Sequence, residues 1–129
     1  MNSKSQSAVE FVILTGFVLF FFVIFFVSIQ DNMALKLREK QDLALKDIVL
    51  GLQDEVNLAY GSSEGYSRDF NIPPNVNGND YNISIISEMI YAYTLDKSSA
   101  VSFSIPKIIG QPIKNLNKIK KLNGEVYLN

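Results

Sequence analysis

The chain contains no cysteine, no histidine and no tryptophan, and none of its four prolines lies before Pro73. Without thiolate or imidazole side chains, the common zinc ligands, the thiol nucleophiles and the imidazole general bases are all excluded. Disulfides cannot contribute stability, and their absence says nothing about a redox compartment. Charge of one sign is missing too: 12 basic residues face 13 acidic ones, for a formal net charge of −1. No broad basic face therefore points to nucleic acid. Asp, Glu and Lys remain as catalytic groups, yet no pair or triad of catalytic type stands out. Asp69 and Glu88 are the carboxylates that could face each other in a cleft. No enzymatic activity, cofactor or metal is expected.

What the chain does have is a 19-residue uncharged apolar run, Phe11 to Ile29, with Glu10 against its leading edge. As an α-helix this run spans roughly 28 Å at about 1.5 Å per residue. The hydrocarbon layer of a bilayer is about 30 Å thick. Seven phenylalanines, Phe11, Phe17, Phe20, Phe21, Phe22, Phe25 and Phe26, crowd into it, and no polar face interrupts them. Such a segment needs either lipid or the apolar surfaces of neighbouring molecules. A plain membrane anchor on a monomeric surface protein satisfies the first choice. For that reading Glu10 is an interfacial carboxylate in the head-group region.

The run is longer than the core of a secretory signal peptide, and no small-x-small cleavage site follows it. The hydrophobic helix is therefore expected to stay on the protein. Helix formers dominate from Gln30 to Tyr60. Leu45, Ile48, Leu52, Val56 and Ala59 recur at spacings of three and four, which gives one apolar stripe. Asp42 and Lys46 are spaced as an i, i+4 pair. Gly51 suggests a gentle bend, and Gly61 a C′ residue ending the helix. With no proline to kink it, one helix over 6–60 is predicted, about 80 Å long.

After Gly61 the pattern changes to turns and strands. Pro73-Pro74 and Asn77-Gly78-Asn79 mark turns. Period-two alternation picks out three half-buried strands: Tyr81, Ile83 and Ile85; Tyr91, Tyr93 and Leu95; Val101, Phe103 and Ile105. Asp96 to Ser99 forms a hairpin loop between the last two. Asn123-Gly124 between apolar residues signals another hairpin. The expected fold is α+β: a long hydrophobic amino-terminal helix, with a small antiparallel sheet packed on its carboxy-terminal half.

The segment Gln6-Ser7-Ala8-Val9-Glu10-Phe11-Val12-Ile13-Leu14, leading into the apolar run, resembles the processing motif of archaeal type IV pilins with a class III signal peptide. Gln6, Glu10 and Leu14 fit that motif. Ala8 stands where serine is usual, and Ser5 where the residue before the cut is usually glycine. The resemblance implies a lollipop-shaped subunit: a leader over 1–5, a long helix over 6–60 (hydrophobic over 6–29, amphipathic over 30–60) and a β-rich head over 61–129. It further implies cleavage between Ser5 and Gln6 by a prepilin peptidase. Membrane residence precedes assembly by dedicated machinery into a helical homo-oligomer at the cell surface, serving adhesion or cell contact. In such a filament the new α-amino group of an incoming subunit would pair with Glu10 of its neighbour, fixing register more dependably than adding stability. Lys36, Arg38 and Lys40 beyond the run would by a positive-inside count place the head in the cytoplasm. The cytoplasmically processed leader overrides that count.

Asn82-Ile83-Ser84 is an N-glycosylation acceptor pattern, one that also arises by chance. Alternation points Asn82 away from the face shared by Tyr81 and Ile83. Lys107, Lys114, Lys118, Lys120 and Lys121 read as a solvated basic face or a contact with an anionic surface. Tyr60, Tyr66, Tyr81, Tyr91 and Tyr93 read as core edges and subunit contacts.

Overall fold

The structure, a computed structural model, describes residues 2–129, so Met1 of the expected leader lies outside the described residues. It divides into two compact units, one ending at Leu37 and the other running from Arg38 to Asn129. Helix α1, Ser3–Gly61, is unbroken over 59 residues. No proline interrupts its hydrogen-bond ladder, and Gly51 lies inside it on an exposed face.

Seven strands follow: β1 Ser67–Ile72, β2 Tyr81–Ile86, β3 Met89–Thr94, β4 Ala100–Ser104, β5 Ile109–Gly110, β6 Asn115–Leu122 and β7 Glu125–Leu128. They form two sheets. A three-stranded antiparallel sheet runs β2-β3-β4, and a four-stranded sheet runs β1-β6-β7-β5. The β5–β7 pairing alone is parallel. At its end, Gly110 has φ +112°, and a Cβ there would come 1.9 Å from the Leu128 carbonyl oxygen. Only glycine permits this approach. The β6–β7 hairpin turns on Asn123 and Gly124 with φ 53° and 74°, the double positive of a type I′ turn.

In the unit from Arg38 onward, α1 contributes Leu45, Val49, Leu52, Val56 and Ala59 to one buried cluster with Tyr81, Ile90, Ala92, Ile105, Ile119, Val126 and Leu128. The α+β expectation, a sheet-bearing head packed on the carboxy-terminal half of the helix, is what the structure has. Val49 joins the predicted stripe, while Ile48 sits at its half-buried margin.

Three local expectations differ. Gly61 is the last helical residue and does not adopt a left-handed conformation. The end of the helix is held instead by Lys121, whose Nζ donates to the carbonyls of Tyr60 at 2.8 Å and Ser62 at 2.9 Å. A cation there answers both the unpaired carbonyls and the negative end of the helix dipole. Asp42 does not pair with Lys46; it accepts a hydrogen bond from the Ser99 hydroxyl. The third difference is the phase of β3. Ile90, Ala92 and Thr94 point into the core, and Tyr91 is exposed with Tyr93 half-buried. The two-residue turn at Ser87-Glu88 sets Ile85 opposite Ile90, Ile83 opposite Ala92 and Tyr81 opposite Thr94. Opposed residues share a face, so β2 and β4 dictate which side of β3 is inward.

Candidate functional site

In the first unit, the residues from Ser3 to Leu37 are all helical. From Val9 to Val27 every large apolar side chain is exposed, with the seven phenylalanines between 54% and 69%. A helix of this composition left open to water is untenable for a soluble monomer, whose exposed apolar patches rarely exceed a few hundred Å². By length and composition this segment can cross a membrane. Within it the Thr15 hydroxyl donates to the Phe11 carbonyl at 2.8 Å, and just past it the Asn32 amide donates to the Ser28 carbonyl at 2.9 Å. Back-bonding of this kind removes the cost of a hydroxyl or amide in an apolar setting. Apolar exposure also continues beyond Ile29, through Met33, Leu35 and Leu37.

At the amino terminus, Ser5 and Gln6 lie in the first turn of α1, and the Asn2 carbonyl accepts from the amides of both and from the Ser5 hydroxyl. Gln6, Glu10 and Leu14 stand at successive i, i+4 positions, which puts them on one side of the helix. Glu10 is exposed at the head of the apolar run.

The helix surface and the β3–β4 turn are joined by polar contacts. Besides the contact of Asp42 with Ser99, Gln53 donates to the Ser104 carbonyl at the end of β4 at 2.7 Å. Within the turn, hydrogen bonds from the Thr94 hydroxyl, the Ser98 amide and the Ser98 hydroxyl hold the Asp96 carboxyl down to about 2. Farther along the helix, the Tyr60 hydroxyl donates to the Lys107 carbonyl.

The predicted basic row is largely engaged in structure. Lys114 pairs with Asp80 and lies 4.9 Å from the centroid of the Tyr81 ring. Lys118 lies 4.0 Å from Asp69, and Lys121 caps the helix. Asp69 and Glu88 are not brought together: Asp69 is in β1 opposite Lys118, and Glu88 is in the β2–β3 turn, lining a cavity of about 520 Å³ that does not include Asp69. Among the described residues, no group of three or more acidic, histidine or cysteine side chains could hold a metal ion.

Asn82 is exposed on β2, on the side away from the buried Tyr81. Its amide Nδ2 donates to the Tyr93 hydroxyl at 3.2 Å. Strand alternation is enough to place Asn82 outward, but the tyrosine beside it follows only from the register of β3. Comparisons with protein-family models, with curated proteins and with solved structures returned no match.

Proposed function

We propose that this chain is a structural subunit of an archaeal type IV pilus-like surface filament, polymerising through its amino-terminal helix and displaying the head for adhesion or cell contact. The observation that carries this reading is the reach of apolar exposure along α1. Exposed apolar side chains run from Phe11 to Leu37. At about 1.5 Å per residue that is roughly 39 Å of helix, against a hydrocarbon layer of about 30 Å. Lipid covers the first part. Met33, Leu35 and Leu37 lie past that hydrocarbon length, interspersed with Lys36 and Arg38, and the helices of other copies would bury them. The motif of Gln6, Glu10 and Leu14, at the start of the run, adds a processing signal that a simple anchor does not need.

In this scheme the prepilin is held in the membrane by Phe11 to Ile29, cut between Ser5 and Gln6, and drawn into the filament. The freed α-amino group would then pair with Glu10 of a neighbour as both leave water. A carboxylate at hydrocarbon depth costs a few kcal/mol when unpaired, so the pairing enforces one axial register. The test is mass spectrometry of the amino-terminal peptide in filaments sheared from cells. A peptide beginning at Gln6 in the sheared fraction is expected.

The second reading, an uncleaved single-pass anchor displaying a binding module, is favoured by the fit of the apolar run to a bilayer. Under that reading the peptide begins at Met1 and is found only in membranes. Glu10→Gln separates the two further. It abolishes or shortens filaments if the carboxylate sets register, and leaves an anchor unaffected.

A further inference from the structure

Strand register arranges the outer face of the β2-β3-β4 sheet in rows. Asn82, Tyr93 and Ala100 form one row, and Ser84, Tyr91 and Ser102 the next. Both tyrosines stand on the central strand, and their cross-strand neighbours are no larger than asparagine. The ring centroids are 5.5 Å apart with planes at 42°, and Tyr91 is 40% exposed. Beside them lies a depression of about 460 Å³, lined by Tyr91, Tyr93, Lys97, Ser99 and Ala100. Charge is sparse here, with Lys97 alone contributing to the lining. A nucleic acid strand would need a basic track beside such a platform, and none is present. What suits it is a flat, uncharged ligand with an apolar face and a hydrogen-bonding rim. A pyranose ring has that form, its C–H groups meeting the negative face of an aromatic ring.

The source of that sugar is indicated by Asn82. It belongs to the acceptor triplet Asn82-Ile83-Ser84 on β2, an edge strand, and it is exposed. Its Nδ2 already touches the Tyr93 hydroxyl at 3.2 Å. A primary amide carries two hydrogens, and the bond to Tyr93 uses one. The other is the one replaced in a glycosidic linkage. We propose that Asn82 carries an N-linked glycan whose first pyranose rings lie across Tyr93 and Tyr91. In its attachment the C1–Nδ2 bond forms, and the C1–O bond of a lipid-linked sugar diphosphate breaks. The lipid diphosphate leaves, and the amide gives up one proton. From Asn82 to Ala100 is two strand spacings, about 10 Å. The chain of sugars thus crosses Tyr93 and enters the depression over the small Ala100 side chain, with Lys97 at its rim. The glycan converts an exposed aromatic face into a hydrated one. The proposal concerns the head alone and stands whether or not the chain polymerises.

The test uses the full chain purified from the cells that make it, with Asn82→Gln and Ser84→Ala variants. Ser84→Ala removes the acceptor triplet while retaining Asn82 and its bond to Tyr93. Mass spectrometry of the Asn82 peptide is expected to find hexose-class additions in the native chain and none in the variants. Hydroxyl-radical footprinting is expected to oxidise Tyr91 and Tyr93 several-fold faster in both variants, with Tyr127 unchanged. Unmodified Asn82 overturns the proposal. Equal tyrosine oxidation in native and variant chains overturns the stacking. Tyrosines protected while Asn82 is bare would mean that a second copy covers them, which also overturns it.

Discussion

Leu43 and Leu45 sit two residues apart on one helix with opposite surroundings, and replacing each with alanine tests the assignment of faces. Leu45 is 0% exposed, and Leu43 is 61% exposed. Leu45→Ala deletes three buried carbons, worth about 2.4 kcal/mol at roughly 0.8 kcal/mol per methylene. The cavity left behind adds to this, since the buried cluster around it cannot collapse fully, for a total of about 3–4 kcal/mol. Against about 5–10 kcal/mol for a unit of this size, that is a large share. The expected fall in Tm is on the order of 10–20 °C. Leu43→Ala should change head stability by no more than about 0.5 kcal/mol. The assay is urea unfolding of the full chain in detergent micelles, followed by tyrosine fluorescence, since all six tyrosines lie at or beyond Tyr60 and the chain has no tryptophan. Equal losses for the two variants, or less than about 1 kcal/mol for Leu45→Ala, would refute the assignment of faces. If Leu43 packs against other copies in a filament, Leu43→Ala should lower the yield of sheared filaments while the head keeps its stability.

Asn117 is 1% exposed, with its amide donating to the carbonyls of Ile113 and Asn115 and its Oδ1 accepting from the Ile113 amide and the Asn129 side chain. Asn117→Leu strands those buried backbone groups and should cost about 2–4 kcal/mol by urea unfolding. Lys121→Met removes the cation from the end of α1 and should cost about 1–2 kcal/mol, with amide exchange rising first in the last turn of the helix. Gly110→Ala places a methyl against the Leu128 carbonyl, and detachment of β5 should appear as lost amide protection at β7. Burial, helped by the charge of Asp80, pushes the Tyr81 phenol up to about 12. The folded state thus holds this proton more tightly than the unfolded one. Stability from this group is complete below pH 10 and declines as pH rises from 10 toward 12, an effect Tyr81→Phe should abolish in alkaline unfolding curves.

The helix is legible in the sequence because its evidence is local. Composition sets the apolar run, spacing sets the stripe from Leu45 to Ala59, and the absence of proline leaves the ladder whole. The hairpin at Asn123-Gly124 is legible for the same reason, since two residues with positive φ announce a type I′ turn. The β2–β3 turn uses Ser87 and Glu88 at φ 47° and 63°, residue types that carry no such announcement. With that turn unread, the phase of β3 falls to its own alternation, in which Tyr91 and Tyr93 look as apolar as Ile90 and Ala92. Strands β1 and β6 are hidden differently: Arg68, Asp69, Lys118 and Lys120 give them the composition of loops, because much of each strand faces water.

The same contrast bears on function. The demand of Phe11 to Ile29 for apolar surroundings follows from side-chain chemistry alone, because a helix apolar on every side cannot hide its surface by turning. Which surroundings meet that demand depends on what the helix does afterwards. A helix ending at the membrane surface would need only lipid. This one continues unbroken to Gly61, with Met33, Leu35 and Leu37 exposed past the run and Leu43 exposed on the turn before Leu45 is buried. The distance from Phe11 to Leu37 exceeds the ~30 Å hydrocarbon layer, and the head, which buries Leu45 and Val49, leaves Leu43 uncovered. Under the proposed filament reading, that remaining apolar surface is what the helices of other copies would bury.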